Sequence, residues 1–295
     1  MSIIAEKLAA APISWGVSEV PGWGHQAGPD EVLAAMRELG FTATEFGPDG
    51  FLPRDPTQRR DRLAEAGLQA IGGFYPAVLH EPGRDVVTPL TAELEAYAAT
   101  GADTLVLAAD TGTDGYDSRP RLTAQQWDQL AASVREIQQL AQRYDIQVAL
   151  HPHIGTVVET AEEVDRVVEA TGVGICLDTG HLAAAGADVL EFTRRYRDRI
   201  VHTHLKDVDE SVVAEHLDGR ITFTEAVQER GIFVPVGGGD LPFEAIVREL
   251  LEAGYTGWFT FEQDCRLHTA EDLATSTENA RISAEYLREL GARLS

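Results

Sequence analysis

The sequence predicts a closed (β/α)8 barrel, and three observations carry that expectation. Short β-rich runs alternate with amphipathic helical patterns from one end of the chain to the other, as repeated βα units do. Eight such pairs fit within 295 residues, which suits a closed barrel better than an open doubly wound sheet. The GxGxxG fingerprint that follows the first strand of a dinucleotide-binding open sheet is missing.

In chain order, the strands are expected at 11–15 (APISW), 42–47, 69–75, 103–109, 146–153, 173–178, 199–205 and 257–263 (GWFTFEQ). Helical patterns lie between them, among others at 30–40, 124–144, 160–172 and 243–254. Thr160 with Glu163 makes a capping box, and Gly40, Gly172 and Gly254 follow the last apolar position of their segments as C-caps do. The stretch 206–240 is too long for a simple connection, so the chain reads as one domain over 1–295 with an inserted segment around 207–240. That segment is expected on the top of the barrel, the face that carries active sites in this architecture.

Composition narrows the function classes. Hydrophobic residues make up 44% of the chain, enough for a large core. The formal charge of −24, from 24 basic and 48 acidic residues, repels polyanions and argues against nucleic acid as substrate. A small neutral or cation-assisted substrate is compatible with it. The longest apolar runs are strand-sized, so no membrane span is expected, and the opening MSIIAEKLAAAPISW sets Glu6 beside Lys7 without the succession of an export signal. Only Cys176 and Cys265 occur, without CxxC spacing, which points to a reducing compartment and to the cytoplasm.

In a barrel, residues near the C-terminal ends of the strands face the site, and residues two apart share a face. His151 and His153 end the fifth strand, Asp178 ends the sixth, His202, His204 and Lys206 run at spacing two along the seventh, and Glu262 and Asp264 end the eighth. Singly, each has a structural explanation: Asp178 could cap the following turn, and a strand-end histidine is often a bonded core residue. Together, at the ends of four consecutive strands, they predict a mouth that selects a divalent cation of the Mn, Co, Fe or Zn type, with no thiolate expected within reach. Glu45 ends the second strand, where it could hold substrate hydroxyls or bond backbone amides at the rim. His80 follows the third strand and either lines the pocket or sits in a solvated loop. Trp15, Phe74, Tyr75 and Trp258 are candidate apolar walls for a sugar-like ring. The GGG of 235–243 is either a phosphate cradle or a plain turn, and it lacks the lysine and hydroxyl residue of a P-loop.

The motifs 178-DTGH-181, 202-HTHLKDV-208, 235-PVGGGDLPF-243 and 257-GWFTFEQD-264 resemble the xylose isomerase-like TIM barrel superfamily of sugar isomerases, epimerases and inosose dehydratases. The segments 11–24, 42–53 and 151-HPHIGTVVET-160 resemble its inosose dehydratase branch, and the resemblance covers nearly the whole chain. It implies a metal held by Asp178, His204 and Glu262, with His151 standing where many relatives have a glutamate. The fourth ligand is then His151 itself, Glu159 from the following loop, or water. Manganese or cobalt is the first expectation for the ion, followed by zinc or iron. The implied function is a metal-dependent lyase that dehydrates a keto-cyclitol such as 2-keto-myo-inositol through an enediolate. The alternative is a ketose epimerase or aldose-ketose isomerase using the same metal site. His153, His181 and Lys206 are then the groups for proton transfer or substrate orientation, with His202 behind them. Barrels of this type often pair or form tetramers, so the resemblance also implies a homo-oligomer.

Overall fold

The computed structural model describes residues 2–295. Seven strands, β1 (Leu8–Ala10), β2 (Ala43–Glu45), β3 (Gln69–Ala77), β4 (Thr104–Ala109), β5 (Gln147–Leu150), β6 (Gly174–Asp178) and β7 (Ile200–Leu205), enter the barrel in chain order. Two short strands, β8 (Asp207–Val208) and β9 (Phe233–Val234), stand outside it, and β10 (Phe259–Phe261) completes it. The closed order is β1-β10-β7-β6-β5-β4-β3-β2, with parallel pairing at every seam.

The first strand lies upstream of the expected 11–15. Pro12 has no N–H for a ladder flanked on both sides, so the chain leaves the barrel after Ala10 and turns through a 3-10 helix over Pro12–Trp15. The expected helices form over Pro29–Glu38, Ala124–Ala141, Ala161–Thr171 and Phe243–Glu252. The Thr160 capping box forms, with the Glu163 carboxylate accepting from the Thr160 amide at 3.0 Å. Gly40, Gly172 and Gly254 adopt the left-handed conformation just past their helices.

Strand alternation sorts side chains into two sets. Outward residues such as Leu105, Leu107, Leu150, Ile175 and Leu177 join the main core between barrel and helices. The inward set forms separate small clusters: Ala9, Ala43, Ile71 and Trp258 toward the N-terminal ends of the strands, and Val106, Ala149 and Cys176 above them. Two residues further along the same faces stand Glu45, His151 and Asp178, so the top layer of the interior is polar.

Two register shifts sit just below that layer. Thr44 pairs with Ala70 but Glu45 with Gly72, and Ile175 pairs with Ile200 but Cys176 with His202. An extra residue in one strand bends it and re-aims the side chains beyond the shift; here the extra residues are Ile71 of β3 and Val201 of β7, so the positions beyond them are Gly72 and Phe74 on one seam and His202 and His204 on the other. Gly72 makes the first shift feasible: its φ is +152°, and a Cβ there would stand 1.9 Å from the Thr104 carbonyl oxygen.

Above the barrel, β8 and β9 pair antiparallel, and helices Glu210–Leu217 and Phe223–Gln228 lie between them. The GGG run is a cradle for an internal anion. The Asp207 carboxylate accepts from the amides of Gly237 (2.9 Å), Gly239 (3.0 Å) and Leu241 (3.1 Å). A Cβ on Gly239 would meet the Val208 carbonyl oxygen at 2.4 Å, so the close wrap requires glycine there.

Replacing Gly72 with alanine sets a methyl group against backbone, and we expect Gly72→Ala to lower stability by about 3 kcal/mol. Urea unfolding followed by circular dichroism measures it. A midpoint unchanged from wild type would show that the β2–β3 shift does not depend on this glycine.

Candidate functional site

The C-terminal ends of β2, β5, β6, β7 and β10 bring a buried polar cluster together around one lysine. Lys206, the residue after β7, is fully buried, and its Nζ donates to Asp178 Oδ2 at 2.8 Å and Glu262 Oε1 at 2.5 Å, with Asp264 Oδ1 at 3.3 Å. Burial alone would push this ammonium toward the neutral form, but Asp178, Asp264 and Glu262 raise its pKa well above the ordinary value. Burial pushes the Asp178 and Glu262 carboxyls up as well. The charge of Lys206 on Asp178, and of His204 and Lys206 on Glu262, outweighs it and holds both below the usual carboxylate range.

His204 links the cluster across the barrel. Its Nδ1 lies 3.1 Å from His151 Nε2 and 3.3 Å from Glu262 Oε1, while its Nε2 lies 2.7 Å from Glu45 Oε1. Glu45 Oε1 also takes His202 Nε2 at 2.8 Å, so one carboxylate oxygen fixes both histidines of β7. Burial favours the neutral His204 ring, but Cys176, Glu262 and Glu45 raise its pKa well above 6.5. Glu45 is pushed up by its own burial, and the His204 charge together with bonds from His202 and His204 pulls it far below the carboxylate range. Three buried carboxylates thus face one ammonium and one imidazolium, with Asp264 a fourth carboxylate at the rim, and negative charge is in excess.

One donor atom from each of His151, Asp178, His204 and Glu262 lies within 4.8 Å of the others. An ion at about 2.0–2.2 Å from nitrogen and oxygen ligands fits within that spread, and two imidazoles with two carboxylates are donors a first-row divalent metal accepts. Of the alternatives for the fourth position, His151 stands in this set. Glu159 instead accepts from the Gly155 amide at 2.8 Å and pairs with Arg119 at 3.1 Å, outside it. The expectation that no thiolate is within reach is corrected: Cys176, one inward position before Asp178, brings its sulfur within 4.8 Å of a ring nitrogen of His151 and of His204. Burial pushes that thiol up to about 11.

His153 and His181 form a second, neutral layer. Their ring centroids lie 3.8 Å apart with the planes tilted by 38°, and burial drives both pKa values well below 6.5. His153 Nδ1 lies 2.7 Å from the Ile154 carbonyl, so it carries the proton and Nε2 is the acceptor. Neither ring nitrogen of His181 has a hydrogen-bond partner, and its Nε2 lies 3.4 Å from Asp264 Oδ2 without the alignment of a bond.

A cavity of about 340 Å³ opens onto this cluster, and Glu45, His151, His153, Glu262 and Asp264 form its polar floor. Phe74, Tyr75, Trp23 and Tyr116 form apolar walls. Tyr116, on the loop after β4, lies 4.5 Å from the His153 ring, and its hydroxyl donates to Glu19 Oε1 at 2.9 Å on the loop after β1. Three expected contacts lie elsewhere. Trp15 is core: it packs edge-on against Phe41 and Phe261 because the 3-10 turn at Pro12 swings it away from the mouth. Trp258 precedes β10 and lies at the opposite end of the barrel beneath the Lys7 ammonium, at 4.3 Å. His80 is buried and does not line the cavity. Trp23 and Tyr116, which do line it, sit in irregular loops where no strand periodicity marks them.

Residues 33–290 match the family described as xylose isomerase-like TIM barrel. The chain is 32% identical to the rhizopine catabolism protein MocC of Rhizobium meliloti, over 100% of this chain and 92% of that protein. It is also 32% identical to the inosose dehydratase of Geobacillus kaustophilus (strain HTA426), over 96% of this chain and 94% of that enzyme. Among solved structures, the IOLI protein with a binding zinc atom superposes with a TM-score of 0.67 at 16% identity, covering 98% of this chain and 99% of its own, a likeness of fold.

The buried histidines make stability depend on pH. His151, His153 and His181 have folded pKa values below 6.5. The stability each contributes is therefore complete above the unfolded value of about 6.5 and is lost as pH falls below it, by about 1.4 kcal/mol per pH unit for each ring. His204 is raised, so its contribution is present below about 6.5 and is lost as pH rises toward its folded value. Denaturant midpoints are expected to fall between about pH 6.5 and 5.5, with a slope smaller by one proton in His181→Asn. A slope in His181→Asn equal to wild type would contradict a neutral His181.

Proposed function

This chain is an enzyme of the xylose isomerase-like TIM barrel family, and we propose that it is a metal-dependent hydro-lyase that removes water from a keto-cyclitol of the 2-keto-myo-inositol type. The observation that carries this reading is the buried quartet His151, Asp178, His204 and Glu262 beneath a cavity sized for one ring. At about 340 Å³ the cavity sits at the small end of the roughly 300–1,000 Å³ range of small-molecule sites. The full-length similarity to a protein named inosose dehydratase supports the substrate class.

His151, Asp178, His204 and Glu262 would hold the ion, and Glu45, bonded to His204 Nε2, fixes the ring so that Nδ1 is presented. A divalent ion held there would supply Lewis-acid polarisation of the substrate ketone and a neighbouring hydroxyl, lowering the cost of removing the α-proton. His153 is the base. Its neutral ring lines the cavity, and with the Nδ1 proton committed to Ile154 its Nε2 is the atom that accepts the α-proton. The C–H electron pair becomes the new C=C bond as the β C–O bond breaks. The departing oxygen leaves as water when His153 returns its proton, so the ring ends neutral as it began. His181, in contact with the His153 ring, and Asp264 beside His181 steady the imidazolium between the two transfers. Before an ion binds, Lys206 keeps Asp178 and Glu262 ionised, and Phe74 and Tyr75 shape the wall against the ring. Both cysteines are free, which suits a reducing compartment such as the cytoplasm.

The test is to strip the protein with chelator, restore manganese or cobalt, and follow 2-keto-myo-inositol by NMR in deuterated water. Metal-dependent loss of water to a cyclic dione is expected. Deuterium uptake at carbon without elimination would replace this reading with the epimerase or isomerase. Asp178→Ala is expected to lose bound metal and turnover together, and full activity in it would remove the metal assignment. His153→Gln should keep the metal and lower kcat by about 100-fold or more, the range for loss of a positioned proton-transfer group.

A further inference from the structure

The barrel interior holds one chemically distinctive group that the proposed reaction does not use. Cys176 is fully buried, points inward one position below Asp178, and stands in register with His202. One donor atom from each of His151, Cys176 and His204 lies within 4.8 Å of the others. His151 Nδ1 is buried and has no hydrogen-bond partner.

From this juxtaposition we propose that Cys176, His151 and His204 form a second, deeper metal site that takes thiophilic divalent ions such as zinc or cadmium, and that it is mutually exclusive with the upper site because both use the same two histidines. It rests on the reading of the upper quartet as a metal site. Imidazole and carboxylate oxygen suit manganese, whereas a thiolate with two imidazoles favours softer ions. On binding, the S–H bond breaks, the proton passes to solvent, and the sulfur electron pair goes to the ion, so no oxidant or reductant is involved. An ion drawn down to Cys176 withdraws His151 and His204 from Asp178 and Glu262. The metal-exchanged enzyme is then loaded but idle. Cys176 thereby sets which metals support turnover.

The experiment uses the chelator-stripped full-length protein and two probes, Mn²⁺ followed by its electron paramagnetic resonance signal and Cd²⁺ followed by the ultraviolet thiolate-to-cadmium charge-transfer band. The wild type is expected to bind one Mn²⁺, to release it as Cd²⁺ is added, and to gain the charge-transfer band in step. Cys176→Ala should lose the band and bind Cd²⁺ at least tenfold more weakly while still binding Mn²⁺. Cys176→Ser serves the same comparison if alanine unfolds the barrel. Cys265→Ala should keep the band, since Cys265 is the one other thiol in the chain. Bound Mn²⁺ with no cadmium band in the wild type, or a band that survives in Cys176→Ala, overturns the deeper site and leaves the upper one standing. Failure to bind either ion overturns both.

Discussion

Everything at the mouth of this barrel depends on the ion pairing of Lys206 with Asp178 and Glu262. A fully buried ammonium is strongly unfavourable on its own, and so are the carboxylates around it. They coexist because the ends of β6, β7 and β10 deliver them to one point, at 2.8 and 2.5 Å. The pairing also leaves negative charge over, and the two oxygens that hold Lys206 belong to residues a divalent ion would need. On the proposed reading, an ion there would compete with the lysine for the same carboxylates.

The rest of the fold serves that arrangement. Apolar residues from Ala9 to Trp258 fill the lower interior, while polar groups occupy the top layer. The extra residues Ile71 in β3 and Val201 in β7 re-aim the side chains that follow them, among them His202 and His204. The inserted segment is braced by Asp207 inside its own glycine-rich loop, and Phe233 of β9 accepts a bond from Gln263, beside Glu262. Tyr116 reaches from the opposite side, and its backbone lies so close to Gly155 that a Cβ there would stand 2.3 Å from the Tyr116 carbonyl oxygen.

Much of this was legible in the residues, and the gaps have physical causes. Spacing by two identified His151, His153, His202, His204 and Lys206, because a strand repeats every second residue and barrel sites sit at strand ends. The same rule applied two places before Asp178 would have found Cys176; its apolar surroundings, ICL, made it look like packing. The aromatic walls were harder. Trp15 follows a proline that ends the strand early, so the expected face was wrong, while Trp23 and Tyr116 belong to loops whose course depends on contacts between distant segments such as Glu19 and Tyr116. The glycine run shows the same limit. Glycines mark a close backbone approach, but what approaches, here the carboxylate of Asp207 some 30 residues away in sequence, is a tertiary fact.

If the barrel mouth is a four-ligand metal centre in which an ion displaces Lys206, anomalous diffraction from crystals soaked in manganese would locate that ion. The expected result is a single anomalous peak bounded by His151, Asp178, His204 and Glu262, with the Lys206 ammonium moved out from between the two carboxylates. A peak elsewhere, or no peak with Lys206 still bridging Asp178 and Glu262 at high manganese, would contradict it.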